Sequence, residues 1–404
     1  MNDGTMGSKK RNQRTSVEVF LAFMKLGVAS FGGPIAHIGY FRAEFVERRQ
    51  WLSERAYVDL VALTQFLPGP ASSQTGFGIG LMRSGISGGL AAWIGFTMPS
   101  AILMVLFAYG AGSIAALPWG AGLLHGLKLV AVAIVAQAVM GMARSLCPDR
   151  PRASIAALAL ILVLLAPGSL GQIGTIVFGG IAGWIVCRNE TEATPDDIEM
   201  PVSRKVGVAC LVTFFVLLAL AFLPMQGGAV ALFSAFYRSG ALVFGGGHVV
   251  LPLLRNAVVV PGWVSDNAFL AGYGTAQAVP GPLFTFAAYL GAVASVPPSG
   301  VAGAVIALFA IFVPGVLCLL GTVPFWHELR ERPHAQAAMR GTNAAVVGLL
   351  GAALYNPVWT SAVQGSADFA IVVSGFVLLI VWGALPLLVV LLSGLAGVGL
   401  SLAS

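Results

Sequence analysis

The chain carries one unusual stretch twice. Residues 20–70 pass from Phe20 through Gly27, Phe31-Gly32-Gly33-Pro34, Trp51-Leu52-Ser53-Glu54 and Gln65 to Pro68-Gly69-Pro70. Residues 233–282 repeat that order with Phe233, Gly240, Phe244-Gly245-Gly246-Gly247, Trp263-Val264-Ser265-Asp266, Gln277 and Pro280-Gly281-Pro282. Phe31 lies 213 residues before Phe244, and Pro70 lies 212 before Pro282. Proline lacks an N–H and clashes with the preceding turn, and glycine relaxes the backbone, so each Pro-Gly-Pro run interrupts a helix. In hydrocarbon such a break persists only inside protein or beside a wet cavity. Matched interruptions therefore predict two related halves that meet at a common site.

The rest of the chain places those halves in a bilayer. Hydrophobic residues make up 57% and charged residues 9%, against roughly 45–50% and about 25% in soluble domains. Apolar segments near membrane-spanning length recur from end to end. They fall at 17–40, 57–82, 88–112, 120–144, 153–167, 171–187, 205–224, 230–250, 266–291, 299–321, 335–355, 368–385 and 386–403. The predicted fold is all-α: a polytopic membrane protein of about 13 spans, built from two inverted-topology repeats with broken helices. Residues 1–16 read as a basic cytoplasmic N-terminus and 17–187 as the first repeat. Residues 188–229 read as an acidic linker plus a connecting helix, and 230–404 as the second repeat. The lone helix between even-numbered halves is what inverts the second copy.

Positive charge favours a cytoplasmic N-terminus and an outer C-terminus. That reading puts Arg83, Arg144, Arg150, Arg152, Arg188, Arg204, Lys205, Arg255, Arg330 and Arg332 inside. Stretch 41–55, with four arginines, is then expected outside, against the rule. The net charge of +6 is scattered, which is topogenic and not a nucleic-acid footprint. No cleavable leader is expected from the polar N-terminus. Cys147, Cys187, Cys210 and Cys318 lack ligand spacing, so no metal or redox site is read from them.

The Pro-Gly-Pro runs are the first candidate for chemistry. Beyond each, a new helix begins with unpaired amides, at Ala71, Ser72 and Ser73 and at Leu283, Phe284 and Thr285. Those donors and the positive end of the helix dipole suit an anion. Gln65, Gly69, Gln277 and Gly281 flank these points, and the hydroxyls of Ser73 and Thr285 match in register. Gly32, Gly33, Gly245 and Gly246 allow close backbone approach, by substrate or by a neighbouring helix. Lys25 and Arg238 match mid-segment, as do Lys128 and Arg340. A buried cation is expensive in lipid, so Lys25 and Arg238 are read as anion contacts, with snorkelling as the alternative. Loss of transport is then expected for Lys25→Ala or Arg238→Ala. Asp59, His37 and His248 are the titratable candidates for ion coupling. Ser53-Glu54 and Ser265-Asp266 read as helix caps.

Enzyme signatures are missing. The sequence has no GxxxxGK[ST], no HExxH and no G-x-S-x-G, so neither an ATPase nor a hydrolase is expected within this chain. No cofactor is predicted. A gradient-driven carrier is the leading class, and a membrane-embedded enzyme or complex subunit is the competitor.

With FGGP, WLSE and QFLPGP and their second copies in place, the chain resembles the chromate ion transporter family in its long, two-domain form. The likeness covers roughly 17–112 and 230–321. It implies a multi-pass protein of the bacterial inner (plasma) membrane that exports chromate and confers resistance to it. Sulfate is the implied analogue, and a sulfate or other oxyanion permease the alternative. The family motifs fall on Phe31 to Pro34, on Gln65 and Pro68 to Pro70, on Phe244 to Gly246, and on Gln277 and Pro280 to Pro282. Gly247 stands where the first copy has Pro34, so the halves are not expected to be interchangeable. The partners implied are chromate, sulfate as a competitor, and the lipid bilayer, with a homodimer as one assembly. Outward movement of a dianion against an inside-negative potential is downhill by about 2.3 kcal/mol per charge per 100 mV. Export without ATP, passive or by proton antiport, is compatible with that.

Overall fold

The computed structural model describes residues 4–31, 33–115, 117–166, 169–187, 201–223, 227–244, 247–330 and 332–403. Within them the chain is all-helical, as expected for a polytopic membrane protein. Most of the acidic linker, 188–200, lies outside the described residues, as do Gly32, Gly245 and Gly246.

In the first repeat, α1 (Gly4–Ala29) is followed by α2 (Gly33–Phe41), which continues as a wide turn over Arg42–Arg48. Then come α3 (Glu54–Phe66), α4 (Ala71–Ala115), α5 (Gly120–Leu146), α6 (Arg150–Leu165) and α7 (Ser169–Val186). The connecting helix is α8 (Arg204–Ala221). The second repeat has α9 (Gly228–Ala241), α10 (Val250–Leu254), α11 (Asp266–Ala278), α12 (Phe286–Val293) and α13 (Gly300–Thr322). It continues through α14 (Trp326–Arg330), α15 (Pro333–Ala353), α16 (Thr360–Ala362), α17 (Ser366–Ile380) and α18 (Pro386–Ala403).

Both Pro-Gly-Pro runs break helices, as predicted, but they reverse the chain where a kinked span was expected. Thr64 and Thr75 share a 2.8 Å hydrogen bond, although a continuous helix would set them about 16 Å apart. Gly78 packs on Leu60, again across the break. In the second repeat the Tyr289 hydroxyl donates to the Ala268 carbonyl at 3.0 Å. The rings of Phe269 and Phe286 lie 5.2 Å apart. Both pairings are antiparallel. Segments 57–82 and 266–291 are therefore helical hairpins. Their 13-residue first arms, α3 and α11, are about 20 Å long, short of a hydrocarbon core of roughly 30 Å.

The same holds at FGGP. Phe23 stacks on Phe45 with ring centroids 4.7 Å apart, against about 33 Å along a straight helix. Segment 17–40 is the start of a hairpin, and Ser239 and Leu253, lining one cavity, mark its counterpart at 230–250. In α17 and α18, Gly375 packs against Val389 across the turn. Five helical stretches among the described residues are long and apolar enough to cross a membrane: Ala71–Ser113, Gly120–Leu146, Arg204–Ala221, Gly300–Leu329 and Pro333–Ala362. The first of these includes a hairpin arm, because Ser84 and Gly85 break α4 with non-helical dihedrals.

The hairpins also account for the arginine-rich stretch. Glu18 on α1 lies 3.6 Å from Arg49 and 3.5 Å from Arg83. Stretch 41–55 thus sits beside Glu18, near the start of the apolar segment 17–40, because the chain has turned back. Arg42 pairs with Glu54 at 2.7 Å, and the matching Arg255 with Asp266 at 3.0 Å. The expected caps form: Ser53 accepts from the Ala56 amide and Ser265 from the Ala268 amide, each at 3.2 Å.

Glycines set the close contacts between long helices. Gly27 and Gly95 bring α1 onto α4, and Gly240 brings α9 onto α13 at Ile311. The later part of α4 runs antiparallel to α13, with Trp93 beside Phe309 (5.3 Å) and Tyr109 beside Gly300.

Candidate functional site

The tips of the hairpins meet at the centre of the bundle. The Gly69 amide donates to the Val243 carbonyl at 2.7 Å, and the Gly281 amide donates to the Ser30 carbonyl at 2.9 Å. These are equivalent bonds: each Pro-Gly-Pro glycine reaches the residue just before the phenylalanine of the other repeat's FGG run. Gly69 and Gly281 have φ of +120° and +99°, a region that L side chains rarely adopt. A Cβ at Gly69 would also meet the Gly315 Cα at 2.8 Å, and one at Gly281 the Ser100 Oγ at 2.8 Å. Ser100 follows Pro99 of α4, and Gly315 follows Pro314 of α13, so the helices that receive the tips are matched too.

A cavity of about 40 Å³, counted as space open to the centre of a water molecule, lies beside the second tip. One water takes roughly 10–15 Å³ by that measure, so there is room for a small polyatomic ion. Gly33, Ile134, Gln137, His248, Ala276, Gln277, Val279, Gly281, Leu283 and Pro386 line it. Four hairpins and α5 contribute. The side-chain nitrogen of Gln277 is buried without a hydrogen-bond partner, an expensive arrangement for a donor unless a ligand or water meets it. His248 shares a 2.7 Å hydrogen bond through Nδ1 with the Tyr273 hydroxyl, and its Nε2 faces Gly33. Tyr273 is fully buried. If its hydroxyl donates to Nδ1, both groups are satisfied and Nε2 carries the hydrogen, aimed at the cavity.

Four predicted residues thus converge: Gly33, Gln277, Gly281 and His248. Others do not. Gln65, the counterpart of Gln277, is exposed, and so is Lys25 on the outer face of α1. Arg238 is half-buried, lies over the Phe222 ring and reaches the Ala221 carbonyl at 3.5 Å. It lines a separate, smaller cavity with Gln172 and Ser239. The Lys25 and Arg238 side chains are therefore not the pair of cations at the tips that the register suggested. Helix register fixes spacing along the chain, and the bundle decides which face points inward. Lys128 and Arg340 tie neighbours, Lys128 to Asn267 at 3.2 Å and Arg340 to the Cys187 carbonyl at 3.1 Å.

Ser72 and Ser73 are buried at the start of α4, and the Ser73 hydroxyl has no partner. Thr285 differs from its counterpart. Its amide and its hydroxyl both donate to the Pro282 carbonyl, at 3.1 Å and 2.8 Å. A tight 3₁₀ turn over Leu283–Thr285 opens the second helix and closes those donors on themselves. His37 is fully buried, its ring edge-on to Phe96 at 5.1 Å. Asp59, 1% exposed, accepts from the Trp326 indole at 3.1 Å, a bond between the repeats and away from the cavity. Gln137 and Tyr273 were missed in the sequence. A lone glutamine inside the apolar run of α5 was the available signal.

Comparison with known proteins follows the same division into halves. A family model described as Chromate transporter matches residues 17–184 and again 230–398. The chain is 28% identical over 387 residues to a chromate transport protein of Pseudomonas aeruginosa, covering 94% of this chain and 91% of that one. It is 26% identical over 350 residues to a probable chromate transport protein of Synechococcus elongatus, covering 82% of each. A chromate transport protein of Cupriavidus metallidurans is 24% identical over 339 residues, covering 83% of this chain and 81% of that one. No solved structure gives a significant match.

Proposed function

The chain belongs to the chromate transporter family, and from that premise we propose that it is a secondary transporter carrying chromate out of the cytoplasm across the bacterial inner membrane. Membership makes it a transport protein and not an enzyme. The anion binds in the cavity at the hairpin tips, held by Gln277, Gln137 and the His248 Nε2–H with the backbone of Gly33 and Gly281 around it. The observation that carries this reading is that Gln277, whose side-chain nitrogen is buried without a hydrogen-bond partner, lines a cavity built from the tips.

The two repeats lie in opposite orientations in the bilayer. Support comes from the antiparallel α4–α13 pair: the first repeat's hairpins start beside Gly85 and the second's beside Gly300, at opposite ends of that pair. On this reading five helical stretches cross fully and the hairpins reach only the midplane, so each half faces one side. The end that gathers Arg48, Arg49, Arg83, Arg152 and Arg204 is cytoplasmic by the positive-inside rule. Alternating access then breaks and remakes the contacts at the tips.

The test is chromate flux in proteoliposomes. Gln277→Leu and Gln137→Leu each remove a donor to a charged ligand, worth about 1.5–3 kcal/mol, and are expected to weaken chromate about ten- to a hundredfold. Gln65→Leu leaves flux near wild type. Sulfate, of the same shape and charge, competes. Wild-type affinity in both cavity variants would overturn the assignment.

A further inference from the structure

Resting on the anion-site reading above, we propose that His248 takes up a proton when the anion enters, so that the cavity holds oxyanion and proton together. None of the described residues lining the cavity carries a fixed charge. Glutamine amides and backbone groups orient a dianion there but leave its charge unopposed in a low-dielectric setting. His248 alone among the lining residues can supply a countercharge.

The charged and titratable groups on the surrounding elements do not line the cavity. On α5, His125 pairs with Asp368 at 2.7 Å and Lys128 with Asn267. On the turn after α10, Arg255 pairs with Asp266 of α11. On α15, Arg340 holds the Cys187 carbonyl and His334 accepts from the Trp184 indole at 3.1 Å. On α9, Arg238 lines the other cavity; on α2, His37 is edge-on to Phe96 with both ring nitrogens buried and without a hydrogen-bond partner, and it is not among the residues that line the cavity. Tyr273 on α11 is the titratable group in direct contact with His248.

That contact makes the uptake workable. In the empty cavity the Tyr273 hydroxyl donates to Nδ1 and Nε2–H faces inward. The added proton comes from solvent and bonds to Nδ1. The Nδ1–H then donates to the phenol oxygen, whose hydrogen rotates out of the contact. No other bond forms or breaks, and Nε2–H still points at the anion. Tyr273 is thus a positioning residue. Binding should tighten as pH falls, by up to tenfold per unit across the window between the free and bound histidine values.

Calorimetry of chromate binding to the purified full chain, in two buffers of different ionisation enthalpy, counts the protons. At about pH 8 the free anion is fully deprotonated and an ordinary histidine is neutral. Wild type is expected to absorb about one proton per chromate. His248→Gln, which keeps an N–H donor but does not titrate, should bind more weakly and absorb none. Binding by wild type without proton uptake overturns the proposal and leaves the anion site standing. Unchanged uptake in His248→Gln also overturns it, since the proton then sits elsewhere. No chromate binding by wild type removes both. Should His248→Gln bind too weakly to titrate, Tyr273→Phe decides. A shifted midpoint in the pH profile of affinity supports the proposal, and uniform weakening at every pH refutes it.

Discussion

The Gly69 amide hydrogen-bonds the Val243 carbonyl at 2.7 Å, tying the tip of one repeat to the corner of the other. The equivalent bond from Gly281 to Ser30 makes the join reciprocal. Both glycines hold positive φ and both press against the helix that receives them, so the join tolerates no Cβ on geometric grounds.

The two glycines should nevertheless respond differently to rescue. Gly281→Ala places a methyl against the Ser100 Oγ, whereas Gly69→Ala places it against the Gly315 backbone. Each costs at least about 1–2 kcal/mol from the left-handed conformation alone. Adding Ser100→Gly to Gly281→Ala is expected to recover part of the lost melting temperature. No equivalent deletion exists at Gly315, so Gly69→Ala should stay the more damaging of the two. Equal losses with no rescue would contradict the packing described.

Pro34 and Gly247 occupy matched positions and touch each other. A Cβ at Gly247 would sit 3.0 Å from the Pro34 Cγ. A second proline would be crowded where the tips meet, which accounts for glycine at 247 where the first copy has Pro34. Gly247→Pro should therefore abolish chromate flux, and the double variant Pro34→Gly/Gly247→Pro should regain part of it. A double variant as inactive as the single one would place the cause elsewhere.

Lys25 and Arg238 test whether sequence register or the bundle's geometry identifies the site. Lys25 is exposed on the outer face and Arg238 half-buried in a separate cavity. Lys25→Ala is expected to keep chromate affinity within about twofold, as for a surface substitution. A loss above tenfold at Lys25, with normal membrane levels, would put the path at that face.

Glu44 offers a pH-dependent check on the clustered end of the bundle. Burial pushes its carboxyl up, but the guanidiniums of Arg49 and Arg48, at 2.6 Å and 2.8 Å, outweigh that and hold it below the ordinary range. A depressed carboxylate stabilises the fold above its unfolded value, about 4.3, and the contribution is lost as pH falls through the folded value. Glu44→Gln should thus lower the melting temperature near neutral pH, and the gap to wild type should narrow below about pH 4. A gap independent of pH would mean the ion pairs contribute nothing.

The duplication, the two Pro-Gly-Pro breaks and the serine caps were legible in the sequence because each is local. Proline and glycine act on the backbone within a turn, and a serine cap bonds three residues ahead. Those features also pointed to the convergence of Gly33, Gln277 and Gly281. Whether Pro68-Gly69-Pro70 kinks a helix or reverses it was not legible, because the same residues permit both. What decides is whether Leu60 finds Gly78 and Thr64 finds Thr75 across the break. Tertiary packing alone also turned Lys25 outward, drew Gln137 inward from a helix with no motif, and left room for one proline where Pro34 meets Gly247. Side-chain direction depends on neighbours distant along the chain, and periodicity carries no record of them.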